Sequence, residues 1–338
     1  MQETQDAVWT AEGLLELGRS YQAAAVFAAA ADLDLFPLLA QKPLSAEEAA
    51  RSLNCQARGL VILLDALAAL KLVEKQAERY ALPAGADRFL TPGGDQSILG
   101  MAQHQANCLR NWAQLARVIK ENRRAPKDPS LRGVRGDQAA FIEAMHNICA
   151  PLAGQVIQDL SPLSFNHLLD LGGASGTWTM AFLRACPAAT ATLFDLPHVI
   201  PMAQQRLAAA GLADRVNLVA GDFMIDPLPQ GADLAWVSAI VHQNSRPQNR
   251  QLFASVFQAL SPGGQIALRD IVMDENRVQP VAGALFAVNM LTATEGGGTF
   301  TFDELKEDLE SAGFEGTMLR RRDPGMNSII MARKPATP

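Results

Sequence analysis

The sequence predicts a doubly wound α/β domain that follows a helical N-terminal part. Helical apolar periodicity fills most of the first 160 residues, and short apolar runs alternate with helical segments after Pro162. A glycine-rich turn follows the first of these apolar runs. Strands separated by helices pair in parallel through right-handed crossovers, so this order indicates a doubly wound sheet.

Length and composition bound the possible classes of protein. At 338 residues, two domains are expected, and 49% hydrophobic with 19% charged residues is typical of a folded globular chain. A net charge of -6 disfavours general nucleic-acid binding. The N-terminal segment lacks the pattern of a secretory signal, and no apolar stretch reaches the roughly 20 residues that a bilayer requires. We therefore expect a cytoplasmic protein that binds neither nucleic acid nor membrane.

Residues 1–95 are predicted to form a small helical domain. Three apolar-periodic segments extend from about Thr10 to Leu72, and Ser45 with Glu48 forms a capping box at the start of the second. Residues 59–83 predict a long helix and a short hairpin, the order of a winged-helix module. Because this helix is apolar with few basic groups, packing against protein suits it better than DNA binding, which remains the alternative.

The rest of the chain changes pattern once. Residues 96–160 are predicted to be helical, interrupted by a polar surface loop with two prolines at 120–129. Residues 161–338 form the predicted α/β domain. Its strands are expected at 167–171, 191–195, 216–219 and 234–237, with helices at 178–185 and 199–210. A ligand of such a sheet lies at the carboxyl ends of the strands.

A glycine-rich bend, DLGGASG at 170–176, joins the first strand to the first helix of this domain. Glycine allows a sharp turn and a close approach to a ligand, and the helix N-terminus beyond it favours an anionic group. The dinucleotide fingerprint does not fit, because Leu171 stands where its first glycine is required. A purely structural turn is the alternative.

Acidic residues follow the next two strands. Asp195 ends the second strand at about the distance, ~20 residues, where an acidic side chain binds ribose hydroxyls in such folds. Asp222 follows the third strand, where it could accept a hydrogen bond from an exocyclic amine. Helix capping is the plainer role for either acid.

Five segments together resemble the plant caffeate and bacterial small-molecule O-methyltransferase family. They are DLGGASG at 170–176, FDLPHV at 194–199, GDF at 221–223, SPGG at 261–264 and SAGF at 311–314. The N-terminal layout is also similar, so the resemblance covers nearly the whole chain. It implies S-adenosylmethionine as cofactor, a homodimer, a dimerisation role for residues 1–95 and a contribution of residues 96–160 to the acceptor pocket.

The resemblance also implies which residues hold the cofactor. Gly172 would touch the methionine moiety, Asp195 the ribose hydroxyls, and Asp222 with Phe223 the adenine. The complete set of expected cofactor-binding residues is Asp170, Gly172, Gly173, Asp195, Leu196, Asp222, Phe223 and Ser238.

His242 falls on the histidine of the family, and an imidazole can take the proton of a hydroxyl during methyl transfer. Gln243 and Asn244 replace the usual Asp-Trp. Asp270 stands where a glutamate orients the histidine, so we expect a less close contact. Thr299 occupies the position of a second glutamate, for which Glu295 could substitute only if its loop shifts. A structural or positioning role for His242 is the alternative.

Four further residues are expected to line the acceptor pocket: His146, Phe286, Asn289 and Met290. His146 lies where relatives line that pocket, and the other three share one helix face. Ordinary helix and core positions are the alternatives. The other histidines, and the cysteines at 55, 108, 149 and 186, lack metal-ligand spacing, so we expect buried thiols and no metal site.

These inferences predict methyl transfer from S-adenosylmethionine to a hydroxyl of an apolar, aromatic or polyketide-like small molecule, with His242 as base and Asp270 as its partner. Methylation at carbon or nitrogen is the first alternative, because the second glutamate is missing and the His-Asp-Trp segment is altered. A cofactor-sensing regulator that binds DNA through the winged helix is the second.

Overall fold

The computed structural model describes residues 9–94 and 96–336. The chain forms two compact units. The first comprises the chain up to Leu109 together with Asp128–Ala144, and the second comprises Arg110–Lys127 together with the chain from Met145 onward.

Short helices and one small sheet make up the early part of the chain. The helices are α1 (Ala11–Arg19), α2 (Tyr21–Asp32), α3 (Leu35–Gln41), α4 (Ala46–Leu53), α5 (Ala57–Ala69), α6 (Asp87–Leu90) and α7 (Leu99–Trp112). The strands β1 (Leu44–Ser45), β2 (Glu74–Gln76) and β3 (Arg79–Ala81) form an antiparallel sheet in the order β1-β3-β2.

Between residues 9 and 72 the chain forms five helices, so the interpretation as three apolar segments was wrong. Ser20 separates α1 from α2 in an ordinary helical conformation, and Asp34, with a φ of 55°, turns the chain between α2 and α3. Such short breaks do not interrupt the apolar periodicity on which the interpretation rested. The predicted capping box is present, since Ser45 Oγ accepts from the Glu48 N–H (3.2 Å) and the Glu48 carboxylate accepts from the Ser45 N–H (2.7 Å).

Helix α5 buries one face in the core of the first unit. Leu60, Leu64 and Leu67 recur at helical spacing and are almost fully buried, while Ile62 on another face is exposed. The hairpin of β2 and β3 follows α5 as predicted. The apolar character of the helix thus serves packing within the unit.

The later part of the chain alternates strands and helices. Its helices are α8 (Leu115–Glu121), α9 (Gly133–Gln158, which begins in the first unit), α10 (Thr177–Ala185), α11 (Ile200–Ala209), α12 (Arg246–Ala259), α13 (Val281–Ala293) and α14 (Phe302–Ser311). Its strands are β4 (His167–Leu171), β5 (Thr190–Asp195), β6 (Val216–Ala220), β7 (Ala232–Ser238), β8 (Leu260–Asp270), β9 (Val272–Met273), β10 (Phe300–Thr301), β11 (Glu315–Arg321) and β12 (Ser328–Arg333). Most predicted strands and helices are present, with ends displaced by one or two residues.

Seven strands form one central sheet in the order β11-β12-β8-β7-β4-β5-β6. Strands β4 to β8 are parallel, and β12 runs antiparallel to both of its neighbours. Apolar side chains cover both faces: Phe253 and Leu305 belong to one core, and Phe182 and Leu207 to the other. The prediction of a doubly wound sheet is confirmed, and the order of strands reverses between β4 and β7, where ligands of such folds bind.

Two smaller findings concern the cysteines and the apolar helices. All four thiols are free, but only Cys149 is buried and the other three are half-buried, so the prediction of buried thiols holds for one. Among the described residues, no single helix meets the length and hydropathy of a membrane span, whereas the bent pair Ala11–Asp32 with Leu35–Gln41 meets them by length and composition alone.

Candidate active site

The ends of three neighbouring strands are joined by backbone hydrogen bonds. The Gly172 N–H, just after β4, donates to the Phe194 carbonyl of β5 (2.8 Å), and the Gly221 N–H, just after β6, donates to the Asp195 carbonyl (2.9 Å). Strand β7 ends beside β4. The glycine bend and both acidic segments therefore lie at one edge of the sheet, as the parallel order requires.

A side chain at the glycine bend would force its neighbours to move. Gly172 has a φ of +65°, and a Cβ there would lie 2.7 Å from Ile240 Cδ1 and 3.7 Å from the Phe223 ring. At Gly173 a Cβ would lie 2.6 Å from Leu193 Cγ. The bend thus exposes bare backbone to the crevice, with Phe223 and Ile240 beside it.

Asp195 is held by two backbone donors. Its Oδ2 accepts from the Ala174 N–H and its Oδ1 from the Leu196 N–H, each at 2.7 Å. Burial nevertheless raises the pKa of this carboxyl above its ordinary value. The side chain is therefore fixed at the sheet edge, with lone pairs left to accept from a diol.

Asp170 lies behind the bend and is almost fully buried. Thr179 of α10 donates its hydroxyl to Asp170 Oδ2 (2.5 Å). Burial raises the pKa of Asp170 to about 7, and the neighbouring Asp195 adds to this rise while the Thr179 hydrogen bond opposes it. The observed contact ties the strand end to the first helix and is not a contact with the crevice.

Ser238, at the end of β7, contacts a residue that the sequence reasoning missed. Its Oγ accepts from Nη1 of Arg269 (3.0 Å). The Arg269 guanidinium is buried, lies 4.6 Å from the Trp178 ring centroid and also donates to Asn327. The signal that could have found it is a charged residue that directly follows the apolar run 266–268 within β8.

His242 and Asp270 form a buried pair. Nδ1 of His242 lies 2.9 Å from each carboxylate oxygen of Asp270, and His242 is 6% exposed. The expectation of a less close contact was wrong. The ends of β7 and β8 are neighbours, and the Ile271 N–H donates to Asp270 Oδ1 (2.8 Å), which directs the short carboxylate to the ring. Because an ionised carboxylate can only accept a hydrogen bond, Nδ1 of His242 carries the hydrogen that faces Asp270. Nε2 of the neutral ring then carries the free lone pair.

The two residues that depart from the family pattern contact the protein itself. Gln243 donates its amide to the Ala239 carbonyl (3.1 Å). Asn244 donates to Asn249 Oδ1 (3.1 Å), and Asn249 in turn donates to the Val241 carbonyl (3.0 Å). Both side chains stabilise the short 3-10 helix, Val241–Gln243, that carries His242.

Glu295 does not take the place of the family's second glutamate, whose position Thr299 occupies. Glu295 is 83% exposed at its side chain and pairs with Arg124 (2.8 Å). The Thr299 hydroxyl is buried and contacts the Gly283 carbonyl (3.4 Å). Instead, the Gly298 N–H donates to the His242 carbonyl (2.9 Å), so glycine backbone lies against this residue.

The expected acceptor-pocket residues lie in two places. Phe286 of α13 meets the His242 ring edge to face, with centroids 4.8 Å apart. On the same helix Asn289 accepts a hydrogen bond from Trp112, and Met290 is buried. His146 of α9 lies 2.8 Å from the Thr177 hydroxyl at the start of α10, at one end of a groove of about 600 Å³ between these helices.

Metal ligation has no candidate in the part of the chain that the structure describes. Within residues 9–94 and 96–336, no group of three or more His, Cys, Asp or Glu side chains is placed to hold an ion.

The site defines a class of protein. A parallel sheet with a bare glycine bend, a fixed acidic side chain after the second strand and an aromatic residue beside the bend suits a nucleoside-containing cofactor. The acidic side chains at this edge fit S-adenosylmethionine. A carboxylate can accept hydrogen bonds from the ribose hydroxyls of this cofactor and can stabilise its positive charge. A buried histidine, paired with a carboxylate, follows the neighbouring strand β7.

Comparison with known proteins agrees with this class. Residues 133–315 match the O-methyltransferase domain, and residues 15–92 match the O-methyltransferase dimerisation domain. The chain belongs to this O-methyltransferase family, as the sequence resemblance predicted. Its cofactor is S-adenosylmethionine.

Individual relatives match over nearly their whole length. A 3-hydroxy-5-methyl-1-naphthoate 3-O-methyltransferase of Streptomyces sahachiroi is 31% identical, with 90% of each chain covered. An N,N-dimethyltransferase, OxyT of Streptomyces rimosus, is 28% identical, with 96% of this chain and 97% of the relative covered. The crystal structure of human N-acetylserotonin methyltransferase with SAM is 25% identical to this chain and superposes with a TM-score of 0.79. The match covers 99% of this chain and 100% of the human chain. These matches give the hypothesis of a DNA-binding regulator no support.

Proposed function

We propose that this enzyme transfers the methyl group of S-adenosylmethionine to a hydroxyl of an apolar, aromatic or polyketide-like small molecule. The family membership and the aromatic acceptor in the name of the Streptomyces sahachiroi relative support an aromatic acceptor. Phe286, which contacts the His242 ring, offers such an acceptor an aromatic surface beside the base.

The buried pair of His242 and Asp270 carries the proposal. Because Nδ1–H is bound to Asp270, Nε2 is available to take a proton from the acceptor hydroxyl as its oxygen attacks the methyl group. The Asp270 carboxylate then stabilises the positive charge that His242 gains. The bound cofactor supplies the electrophilic methyl on its sulfonium, and the protein has to place the hydroxyl in line with it.

The sheet edge is the proposed cofactor site. Gly172 and Gly173 would approach the methionine moiety, and Asp195 would accept from the ribose hydroxyls. Asp222 and Phe223 would hold the adenine. Asp222 accepts from the Met224 N–H (2.9 Å), which fixes its carboxylate near the end of β6. The two remaining predicted contacts are those of Leu196 and Ser238, whereas Asp170 would act by holding the bend.

The acceptor site is proposed to use helix α13 and the segment that precedes the α/β domain. His146, Phe286, Asn289 and Met290 remain its predicted lining. Residues 110–127 belong to the same unit as α13, which supports a contribution from within the predicted 96–160 segment, beside a dimerisation domain at 1–95 and a catalytic domain at 161–338. We propose a cytoplasmic homodimer, in keeping with the dimerisation domain, without nucleic-acid or membrane partners.

Two measurements test this function. Isothermal titration should show binding of S-adenosylmethionine and S-adenosylhomocysteine, and incubation with aromatic hydroxy compounds should give products heavier by one methylene unit. A His242→Gln variant should bind the cofactor like wild type but turn over about 100-fold more slowly or worse. Full turnover by this variant on a hydroxyl acceptor would exclude His242 as the base.

Methylation of an amine is the second candidate, favoured by the likeness to OxyT and by the single carboxylate at His242. Fragmentation of the product by mass spectrometry separates O-, N- and C-methyl groups. A product methylated only at nitrogen or carbon, with hydroxyl analogues unreactive, would replace the proposed reaction by this one.

A further inference from the structure

Arg269 of β8 is a buried cation without a carboxylate partner. The residue is 2% exposed, and its guanidinium forms no ion pair among the described residues. It donates instead to neutral oxygens: Nε and Nη2 donate to Asn327 Oδ1 (3.0 and 2.7 Å), and Nη1 donates to Ser238 Oγ (3.0 Å). A charge that is buried in this way costs stability, because no opposite charge replaces its lost hydration.

The environment of Arg269 favours an anion close by. Burial lowers the pKa of its guanidinium below the ordinary value, and Coulombic attraction to Asp270 and Asp323 opposes this only in part. The group nevertheless stays charged, because arginine does not lose its proton in proteins. An anionic group of a ligand near the guanidinium would offset the cost of burying it.

Ser238 connects this charge to the crevice at the sheet edge. Its hydroxyl accepts from Arg269 and, within the described part of the chain, donates to no protein group. Because arginine has no acceptor, the Ser238 hydrogen is directed away from the guanidinium. Ser238 is half-buried at the end of β7, so this hydrogen is available to a ligand, and the positive charge behind it strengthens the donor.

The backbone fixes the same two residues. Ser238 lies opposite Arg269 in the pairing of β7 with β8, and the Arg269 carbonyl accepts from the Ala239 N–H (2.8 Å). Ala239 has a φ of 57°, so the chain turns sharply there, before the segment that carries His242. Movement of the Ser238 hydroxyl away from Arg269 would therefore cost a hydrogen bond that the strand pairing already favours.

Ser238 lies beside the glycine bend. In the parallel pairing of β4 with β7, Leu171 is opposite Val237, so Gly172 and Ser238 follow as neighbours on strands about 4.8 Å apart. The proposed cofactor site places adenine at the end of β6, ribose at β5 and the methionine moiety at the bend after β4. Strand β7 lies on the other side of β4, so the amino-acid end of the cofactor is directed toward Ser238.

We propose that Arg269 is a positioning residue of the cofactor site, which holds the Ser238 hydroxyl as a hydrogen-bond donor to the carboxylate of the cofactor's amino-acid end. This carboxylate is the only anionic group of S-adenosylmethionine, so it is the group that a donor backed by a positive charge recognises. The inference rests on the proposed cofactor site at the sheet edge and is independent of the acceptor.

Two ligands that differ only in this carboxylate test the proposal: S-adenosylhomocysteine and its decarboxylated analogue, S-adenosyl-3-thiopropylamine. Their dissociation constants are measured by isothermal titration. Wild type should bind S-adenosylhomocysteine about tenfold more tightly or better, as expected for one hydrogen bond to a charged group. Equal affinity for the two ligands would overturn the proposal.

Two variants locate the preference. Ser238→Ala removes the donor, and Arg269→Met removes the charge that holds it, while the unbranched methionine stem can stay against the Trp178 ring. Both should lower the preference for S-adenosylhomocysteine to within about threefold, with the affinity for the decarboxylated analogue unchanged. Because Arg269 acts through Ser238, the double variant should show the same preference as Ser238→Ala alone. A wild-type preference in either single variant would overturn the proposal.

An Arg215→Met variant separates positioning from a structural role. Arg215 donates to the carbonyls of Leu183, Cys186 and Ala189, at the end of α10 opposite to the glycine bend. This control should unfold at a lower temperature than wild type and keep the wild-type preference for the carboxylate. If Arg269→Met instead weakened both ligands equally, its effect would be merely structural and the assignment would be overturned.

Turnover distinguishes this proposal from the proposed function. If the two ligands are discriminated as described but no acceptor yields a methylated product, the role of Arg269 stands and the assigned reaction fails. If methylated products form and the two ligands bind equally, the reaction stands and the role of Arg269 fails. Binding of neither ligand would overturn both.

Discussion

The backbone N–H of Gly298 donates a hydrogen bond to the carbonyl oxygen of His242 at 2.9 Å. The loop that precedes β10 thereby lies directly against the segment that holds the proposed base. Gly297 also packs tightly against this carbonyl group, since a Cβ at position 297 would lie 2.5 Å from the His242 carbonyl oxygen. Gly297 and Gly298 thus lie against the backbone of His242, which makes the loop a sensitive target for substitution.

A Gly297→Ala substitution should therefore impair turnover. The added methyl group collides with backbone rather than with a flexible side chain, so the loop or His242 has to move, and a shift of about 1 Å in a catalytic group costs on the order of 100-fold in rate. The matched control is Gly298→Ala, where a Cβ meets nothing within 4 Å and the N–H is kept. Steady-state kcat and cofactor affinity are measured for both. Equal rates for the two variants would contradict the role of this contact.

An Asp270→Asn substitution should lower kcat by about 100-fold or more. The amide can offer an N–H where the carboxylate only accepts, so it no longer enforces the tautomer with a free Nε2, and it cannot stabilise a charged imidazole. Titration should show unchanged binding of S-adenosylmethionine. Asp274→Asn, on an exposed carboxylate four residues further on, is the control and should keep wild-type turnover. A variant of Asp270 with normal kcat would exclude the pair as the proton-accepting unit.

The sequence predicted the strands more accurately than the contacts. Apolar runs between polar turns marked β4, β5, β6 and β7 to within one or two residues, because burial on both faces leaves a clear pattern. Ser20 and Asp34 divided the early helices without changing the apolar periodicity, so those breaks left no signal in that pattern.

Contacts at long sequence distance depend on the assembled fold. His242 and Asp270 are 28 residues apart in the sequence, and the pairing of β7 with β8 brings them together. The family resemblance suggested that the two residues are partners, but it gave no distance between them. Trp112 and Asn289 are 177 residues apart, and no local pattern links an indole to an amide at that distance. The prediction of a looser contact between Asp270 and His242 was wrong for the same reason. The pairing of the two strands brings the backbones close enough for the shorter side chain of aspartate to reach the ring.

The buried carboxyl of Asp170 should make stability depend on pH. Its pKa is raised by burial to about 7 in the folded protein, so between its ordinary value and about 7 the folded state binds more protons than the unfolded state. Stability from this group is then present at low pH and is lost as pH rises toward 7. Between pH 5 and pH 8 the loss should amount to about 3 kcal/mol at most.

Thermal unfolding of Asp170→Asn at both pH values checks this expectation. Asparagine keeps an oxygen for the Thr179 hydroxyl but has no proton to lose. The fall in Tm from pH 5 to pH 8 should therefore be smaller in the variant than in wild type. Asp303→Asn, at an exposed position of α14, should retain the wild-type fall. Identical pH profiles for wild type and Asp170→Asn would show that Asp170 is ionised throughout.

A Gly172→Ala substitution should remove most of the cofactor affinity. Two effects act together: the residue has a φ of +65°, which costs an L-residue about 1–2 kcal/mol, and its Cβ would lie 2.7 Å from Ile240 Cδ1 beside the Phe223 ring. Gly211 is the matched control, because it has a φ of +68° with nothing within 4 Å of an added Cβ. Both variants should lose a similar part of their stability to backbone strain, as measured by thermal unfolding. Only Gly172→Ala should weaken S-adenosylmethionine binding, by about tenfold or more, since only there does the methyl group enter the crevice at the sheet edge. If Gly211→Ala weakened the cofactor equally, the loss would reflect general destabilisation and the glycine bend would not be the binding surface.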